Sequence, residues 1–411
     1  MSASSMISAH VRSLSIFGYS EQMPHVSDFK ALRVLDLESS GKLQNSYLNN
    51  VVDLCQLRYL RIAASTITHL PEQIGELQFL ETLDLRRTWI RKLPASIVKL
   101  RRLNYFLANG AQLPDGVGKM KLQELSGVSV YDECSVSSLL ELGSLTNLRN
   151  LRLNWNISES RNDRTHCTDA LISSLGKLAS CRLKFLSINR GPFSADIPFD
   201  SWSSSPHLLS ELYIPRFCFQ RIPDWLASVT NLCRLGIRVK QVTQQVLQML
   251  GDLPALLDLE LWSAADDHPM EMLLVCSNRF RCLKIFRLYG SMAGLVFEAG
   301  AMQRIKEISI VVRAHEVQSA CADHPDLGIH HLSSLMNLNV WINCEGARAE
   351  EVKVLEAAIT DATNLLPNHP TPHFYRENEE NMVKDEAHMH GRMKAMMFNE
   401  DTKKGGDISI D

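Results

Sequence analysis

The sequence lacks several features that would assign it to a common functional class. No stretch approaches the roughly 18 uncharged apolar residues that a membrane-spanning helix needs. The N-terminal residues contain neither a basic segment nor an apolar core, so no secretory signal is visible. The formal net charge is only −3 over 411 residues, which argues against a surface built mainly to hold nucleic acid or anionic lipid.

Neither the cysteines nor the short sequence motifs point to an enzyme. The ten cysteines are scattered without a CxxC pair, and there is a single glycosylation sequon, which together favour a reducing, cytoplasmic compartment. No H-E-x-x-H or G-x-S-x-G motif occurs, so we predict neither catalysis nor a cofactor. One cluster has metal-capable side chains, but its spacing matches no tetrahedral template and we expect no metal there. Its members are His315, Cys321, His324, His330 and His331.

What the sequence does contain is a repeated hexad, L-x-x-L-x-L, in which Ile, Val or Phe can replace Leu. The cleanest copies are Leu32-Arg-Val-Leu-Asp-Leu, Leu57-Arg-Tyr-Leu-Arg-Ile and Leu80-Glu-Thr-Leu-Asp-Leu. The mean spacing of about 25 residues lies within the range of leucine-rich repeats. About fourteen units are found, and they open at Val11, Leu32, Leu57, Leu80, Leu103, Leu122, Leu148, Leu183, Leu209, Leu232, Leu256, Leu283, Ile305 and Leu335.

A second signature follows the hexad in several units. Pro71, Pro94 and Pro223 each follow Leu or Ile and precede apolar residues spaced three apart. Proline fixes φ where the chain turns, and the apolar spacing predicts a short 3₁₀ turn over the core. Each unit buries its apolar face only by stacking on its neighbours. The sequence therefore predicts an α/β leucine-rich-repeat solenoid, a curved horseshoe with a parallel sheet on the concave face and short helices and loops on the convex face.

The extent of the period predicts the domain organisation. Residues 1–10 are an N-terminal lead-in, 11–346 the solenoid, 347–367 a C-terminal capping helix, and 368–411 a polar tail without predicted order. Within the solenoid, the long step from Leu148 to Leu183 predicts a surface excursion and then a helix over 169–178. Ser126-Gly127-Val128 blurs the pattern and leaves the register of its unit open.

Alternation along each strand predicts which residues face outward. If the first apolar residue is position n, then n+2, n+4 and n+6 face the concave surface. Neighbouring parallel strands lie ~4.8 Å apart, so the n+4 residues of three early units form a row of alternating charge, and Glu260 and Arg287 form a later pair of opposite sign. The predicted partner-binding residues are Asp36, Arg61, Asp84, Arg86, Arg234, Glu260, Trp262, Arg287, Tyr289 and Trp341.

The aromatic residues in this set have two interpretations. Trp262, Tyr289 and Trp341 form a partner-binding stripe if the assigned register is correct, because exposed aromatic side chains anchor protein interfaces. They belong to the core if the register is shifted by one residue, since that shift moves every side chain to the opposite face.

Several segments carry a resemblance to a known family. They are Phe29-Lys-Ala-Leu-Arg-Val-Leu-Asp-Leu, Leu93-Pro-Ala-Ser-Ile-Val-Lys-Leu, Leu113-Pro-Asp-Gly-Val-Gly and the segment Asn364–Pro372. They resemble the leucine-rich-repeat region of plant intracellular nucleotide-binding disease-resistance proteins. The resemblance covers about residues 5–372 and is most specific in the first third of the chain.

The resemblance implies a protein-binding module of plant innate immunity in the cytoplasm. Such a module recognises a pathogen effector or a guarded host protein and restrains a nucleotide-binding switch domain, in cis or in trans. The charged row would then dock the switch domain. The alternative is that the row is a ladder of solvent-exposed ion pairs, each of which contributes little to stability. The family's G-x-x-x-x-G-K-[ST] loop does not occur in this sequence. We therefore expect either a fragment of a larger receptor or a stand-alone cytosolic scaffold or adaptor without a switch partner.

Overall fold

The computed structural model describes residues 10–18, 25–39, 43–264, 272–290, 293–321 and 326–383. The chain folds as two compact units. Of the described residues, the first unit contains those up to 241 together with 252–264, and the second contains 242–251 and those from 272 onward. Within the described ranges, no helix combines the length and the apolar character that crossing a membrane requires.

The sheet of the first unit consists of parallel strands that pair in chain order. Each strand begins two residues after the apolar residue predicted to open its unit, as Val34 follows Leu32. The strands are β1 (Ser13–Gly18), β2 (Val34–Ser39), β3 (Tyr59–Ala63), β4 (Thr82–Asp84), β5 (Tyr105–Leu107), β6 (Glu124–Val130), β7 (Asn150–Trp155), β8 (Phe185–Arg190), β9 (Glu211–Phe219), β10 (Arg234–Val239) and β11 (Asp258–Ser263).

Short helices return the chain between these strands. The α-helices are α1 (Leu48–Val51), α2 (Val136–Leu142) and α3 (Arg164–Ala179). The 3₁₀ helices are Val26–Asp28, Asn45–Tyr47, Glu72–Glu76, Ala95–Lys99, Val117–Lys119, Phe199–Ser201 and Asp224–Ser228. Helix α3 lies in the long step between two units, and Leu171, Leu175 and Leu178 supply its buried face. It begins at Arg164, before the predicted residue 169, because the polar residues that precede 169 form its first turn.

The second unit has its own parallel strands. Its helices are α4 (Gln244–Gly251), α5 (Ala314–Cys321) and α6 (Ala349–Asn364), with 3₁₀ helices at Ile329–His331 and Glu379–Asn381. Its strands are β12 (Met272–Val275), β13 (Ile285–Tyr289), β14 (Gly294–Phe297), β15 (Glu307–Arg313), β16 (Asn337–Asn343) and β17 (Pro372–Glu377). The pairing order is β13, β15, β16 and β17, and β12 pairs with β14 in a separate two-stranded sheet.

The hexad leucines form the core. Leu32, Leu35 and Leu37 are fully buried, and pairing in register sets Leu35 beside Leu60 on the next strand. Full burial of one such side chain contributes about 1.5–3 kcal/mol relative to exposure. Because each repeat adds its leucines to the same file, neighbouring strands share one continuous core. The predicted leucine-rich-repeat α/β fold with a parallel sheet is thereby confirmed.

The proline steps start short turns as predicted. Pro71, Pro94 and Pro223 each have an extended backbone and directly precede a five-residue 3₁₀ helix. The residue three positions after each proline is buried and packs the turn against the core, as Ile74 and Ile97 show. Proline suits this place because its fixed φ matches the extended entry to the turn.

The C-terminal part differs from the predicted boundaries. Helix α6 is not the last element, because β17 follows it and pairs in parallel with β16. Arg376 donates two hydrogen bonds, of 2.7 and 2.8 Å, to the carboxylate of Glu356, and these fix the strand to α6. The sequence did not indicate a strand because β17 is largely exposed and has no apolar hexad. Residues 384–411 of the predicted tail and residues 1–9 lie outside the described part of the chain.

A bulge in β6 explains the blurred register near residue 127. Ser126 pairs with Arg152 and Val128 pairs with Leu153, so Gly127 is an extra residue. Its φ is +75°, and a β-carbon built there would lie 2.1 Å from the carbonyl oxygen of Ala108. Only glycine fits this combination of left-handed backbone and close approach.

We predict that Gly127→Ala lowers the free energy of unfolding by about 3 kcal/mol, from backbone strain and the clash with Ala108. The matched control is Gly18→Ala, which also has positive φ, at +81°, but has no atom of a described residue within 4 Å of the added carbon. It should cost only about 1 kcal/mol. Urea unfolding of both variants measures the difference, and equal destabilisation would contradict a steric role for Gly127.

Candidate functional site

The predicted binding residues lie on the sheet positions that alternate with the buried leucines. Seven of the ten belong to the first unit and three to the second. Nine lie on strands, and Arg86 lies in the turn just after β4. The flanking residues confirm the register, since Leu259 and Leu261 on either side of Glu260 are fully buried. The outward face therefore carries chemistry that the core does not constrain.

A charge cluster of Asp36, Glu38, Arg61 and Arg87 lies on the early strands. Asp36 and Arg61 are register partners on β2 and β3. Arg61 contacts Asp36 at 2.8 Å and Glu38 at 3.0 Å, and Arg87 contacts Glu38 at 2.5 Å. The hydrogen bond from Arg61 lowers the pKa of Glu38 below its usual range. Arg87 has 66% of its side chain exposed, so the cluster presents a guanidinium to solvent.

Asp84 does not extend this row as an exposed residue. Its side chain is only 4% exposed, because Arg86 covers it with two bonds of 3.0 and 2.7 Å. Asp84 also accepts a hydrogen bond from the backbone N–H of Arg86. The hydrogen bonds that Arg86 donates to Asp84 raise the pKa of Arg86. The predicted exposure of Asp84 is wrong because alternation assigns a facing direction but does not show which neighbouring side chain covers it.

Arg234 lies among acidic side chains on the strands of the first unit. Its register partners are Glu211 on β9 and Asp258 on β11. The guanidinium contacts Asp258 at 3.1 Å and Glu211 at 3.5 Å, and about half of the side chain is exposed. Arg234 therefore bridges three strands across the sheet face.

Glu260 and Trp262 contact Tyr213 and Arg238, two residues that were not predicted from the sequence. Glu260 accepts a hydrogen bond from the Tyr213 hydroxyl at 3.3 Å and one from the Trp262 Nε1–H at 2.9 Å. The guanidinium carbon of Arg238 lies 5.5 Å from the centroid of the Trp262 ring, within the range of a cation–π contact. One carboxylate thus orients two rings, and one of those rings supports a cation.

In the second unit, Tyr289, Trp341 and Tyr375 form what we call the aromatic row. The centroids of Tyr289 and Trp341 are 5.7 Å apart in an edge-on arrangement, and those of Trp341 and Tyr375 are 4.9 Å apart and stacked. Tyr375 is 47% exposed. Tyr289 and Trp341 are half-buried, as is Trp262 in the first unit, so the interpretation that these residues belong to the core is wrong.

Arg287 lies on β13, beside the aromatic row. It donates a 2.9 Å hydrogen bond to Glu307, on the adjacent strand β15. Both side chains remain partly exposed. This ion pair adds charge to the outward face of the second unit.

The functional residues that we missed differ in how visible they are from sequence. Glu38, Tyr213 and Arg238 stand at position n+4 or n+6 of their own units, so applying the n+2, n+4, n+6 rule to every unit would have found them. Tyr375 lay in the predicted tail, and Arg87 lies in a turn that the strand rule does not cover.

The histidine cluster is dispersed in the structure. His315 contacts Glu351 at 3.5 Å, whereas His330 contacts Asp326 at 3.5 Å and lies beside His331. Among the residues that the structure places, no three His, Cys, Asp or Glu side chains are grouped to hold a metal ion. His324 lies outside the described residues.

Known proteins share this sequence pattern. The family described as "Leucine-rich repeat region" matches residues 10–372. The rice (Oryza sativa subsp. japonica) disease resistance protein RGA5 is 31% identical over 374 residues, covering 88% of this chain and 33% of RGA5. Rice disease resistance protein Pik-2 is 30% identical over 288 residues, covering 61% of this chain and 28% of Pik-2. The chain spans about a third of the length of these curated relatives.

A solved structure matches the fold as well. The leucine-rich-repeat protein LIC12759 of Leptospira interrogans superposes with a TM-score of 0.57 at 18% identity, covering 90% of this chain and 97% of that one. At this level of identity the match concerns the fold alone.

The charge cluster generates a prediction about pH. Glu38 has a lowered pKa in the folded chain, so its ion pairs stabilise the fold above the usual carboxylate range and are lost as pH falls through the lowered pKa. We expect Arg61→Gln to raise the pKa of Glu38 in a carboxyl NMR titration.

The control is Arg58→Gln, which removes another guanidinium of the same repeat, one whose partner is Glu81 at 3.0 Å. It should leave the Glu38 titration in place. If both variants raise the pKa of Glu38 equally, a general loss of positive charge, and not the Arg61 hydrogen bond, lowers that pKa.

Proposed function

The chain belongs to the leucine-rich repeat region family, and from that membership we propose that it is the recognition part of a plant innate-immune receptor. It binds a pathogen effector or a guarded host protein through the outward face of its strands, in the cytoplasm. It acts by binding and not by catalysis. The aromatic row is the observation that carries this proposal.

The aromatic row has the properties of an interface anchor. Large aromatic side chains contribute much of the binding energy in protein interfaces. Trp341 contacts Tyr289 on one side and Tyr375 on the other, so each ring is held by its neighbours before a partner arrives. Little side-chain entropy is then lost on binding. Val311, the register partner of Trp341 on β15, adds apolar surface within the row.

The charge cluster supports a second contact, with a nucleotide-binding switch domain. This part of the proposal draws on the family resemblance, which is strongest over the early repeats. Arg61 lies between two carboxylates, while Arg87 is mostly exposed and, of the residues that the structure describes, pairs only with Glu38. An acidic surface on the switch domain would pair with Arg87 at little cost in desolvation. Binding of a ligand elsewhere on the array would shift the equilibrium away from this docked state.

We expect Trp341→Ala and Tyr375→Ala each to weaken partner binding about 30-fold, the effect of losing a hot spot of about 2 kcal/mol. A two-hybrid screen of the chain against the secreted proteins of a fungal pathogen supplies the partner. Calorimetry with the purified pair then measures the affinity of each variant.

Tyr105→Ala is the matched control, because Tyr105 is an exposed aromatic residue on a strand of the first unit, at 41% exposure. It should change the affinity less than twofold. Undiminished binding by a Trp341→Ala/Tyr375→Ala double variant would exclude the aromatic row as the anchor.

The docking contact has its own test. Arg61→Glu combined with Arg87→Glu should weaken co-precipitation with a separately expressed nucleotide-binding domain about tenfold at low salt, and less at high salt. Asp84 is unsuitable for charge reversal because it is buried beneath Arg86. If capture is unchanged while effector binding persists, the stand-alone scaffold becomes the better description.

A further inference from the structure

A cleft of about 520 Å³ lies on the outward face of the first unit, and the proposed function does not use it. Arg190, Arg216 and Arg238 contribute guanidinium groups to its lining, together with Tyr213, Glu260 and Trp262. Three positive charges therefore face one negative charge. We call this site the arginine cleft.

On one side of the cleft, a glycine leaves room for an aromatic ring that lines it. Gly236 on β10 is the register partner of both Tyr213 on β9 and Glu260 on β11. A β-carbon at Gly236 would lie 2.3 Å from the Tyr213 ring, so glycine allows that ring to cross β10 and reach Glu260. Glu260 in turn holds the Trp262 indole at 2.9 Å.

Arg238 is supported by this arrangement but is not neutralised by it. Its guanidinium lies over Trp262, and its buried Nε has no hydrogen-bond acceptor among the described residues. A buried donor without an acceptor is unfavourable. An oxygen atom supplied by a ligand would remove this cost.

A bulge places Arg216 at the same site. Ile214 pairs with Ile237 and Cys218 with Arg238, so the three residues 215–217 are inserted into β9. Proline at position 215 has no N–H to offer the ladder, and Phe217 packs into the core against Phe199 at 5.2 Å. Arg216, between them, is exposed, and its one hydrogen bond within the described part of the chain is a 3.4 Å bond to the Arg190 carbonyl.

Arg190 completes the group from the end of β8. It donates a 2.7 Å hydrogen bond to the carbonyl of Ser194, which fixes its orientation. Its carboxylate contacts are longer, at 3.4 Å to Glu159 and 3.9 Å to Asp196. Part of its charge is therefore available to a ligand in the cleft.

We propose that the arginine cleft binds a phosphate monoester whose molecule also carries a planar aromatic group. Guanidinium groups donate in a planar fork that matches phosphate oxygens, and a monoester carries close to two negative charges at neutral pH. A carboxylate would balance fewer of the cationic groups. The rings of Tyr213 and Trp262 border the arginines, so a planar group beside the phosphate gains stacking contacts. Phosphotyrosine and a nucleoside monophosphate both have this chemistry.

The test is calorimetry on the full chain with four probes: O-phosphotyrosine, tyrosine, AMP and adenosine. At least one phosphorylated probe should bind about tenfold or more tightly than its unphosphorylated counterpart. Tighter binding of phosphotyrosine identifies a phosphorylated protein side chain as the source, and tighter binding of AMP identifies a nucleotide. The proposal is overturned if neither phosphate improves binding.

Substitutions locate the site. Arg238→Gln and Arg216→Gln should each weaken binding of the phosphorylated probe about tenfold. Arg182→Gln, at an exposed arginine outside the lining, should change it less than twofold. Arg216 is exposed, so its variant should keep the thermal midpoint of the parent and give a valid result even if Arg238→Gln unfolds. Equal losses in the Arg182 and Arg216 variants would overturn the proposal.

Discussion

The structure depends on the side-by-side burial of apolar residues that no single repeat could shield from water. In the first unit, one position of the hexad forms an unbroken file of buried side chains across neighbouring strands: Leu35, Leu60, Leu83, Phe106, Leu125, Leu151, Leu186, Leu212, Leu235 and Leu259. Each member lies beside its register partner on the neighbouring strand of the file. Stability therefore comes from nearest-neighbour contacts, and the outward positions contribute little to it.

This division between core and face explains why the outward surface differs so much along the chain. Most residues of the charge cluster, the arginine cleft and the aromatic row occupy the outward positions n+4 and n+6 of the same hexad pattern, whereas Arg87, Arg190, Arg216 and Tyr375 lie outside those positions. Their chemistry nevertheless ranges from paired carboxylates and guanidiniums, through cations supported by rings, to stacked aromatic side chains. Substitutions at outward positions can therefore adapt the surface to a different partner without changing the buried core.

The sequence alone predicts the strands of the hexad units, the proline turns and the family resemblance. The structure confirms the first two, and the comparisons confirm the third. These features depend on local periodicity, so they can be recognised from the sequence once the hexad recurs in register along the chain. The remaining features depend on contacts between strands. The bulge at Gly127 reflects the close approach of Ala108, the burial of Asp84 reflects the position of Arg86, and β17 exists because β16 offers it hydrogen-bonding groups. No count of leucines contains that information.

The three-residue insertion in β9 has a consequence for how the surface can diverge. Pairing is regular on both sides of it, and the Phe217 ring anchors it within the core. A gain or loss of residues between these fixed points would change how far the cleft wall projects, while the leucine file stays in place. Alignments of related chains should therefore show gaps at this strand, a segment where length is usually invariant, and the surface can evolve by indels as well as by substitution.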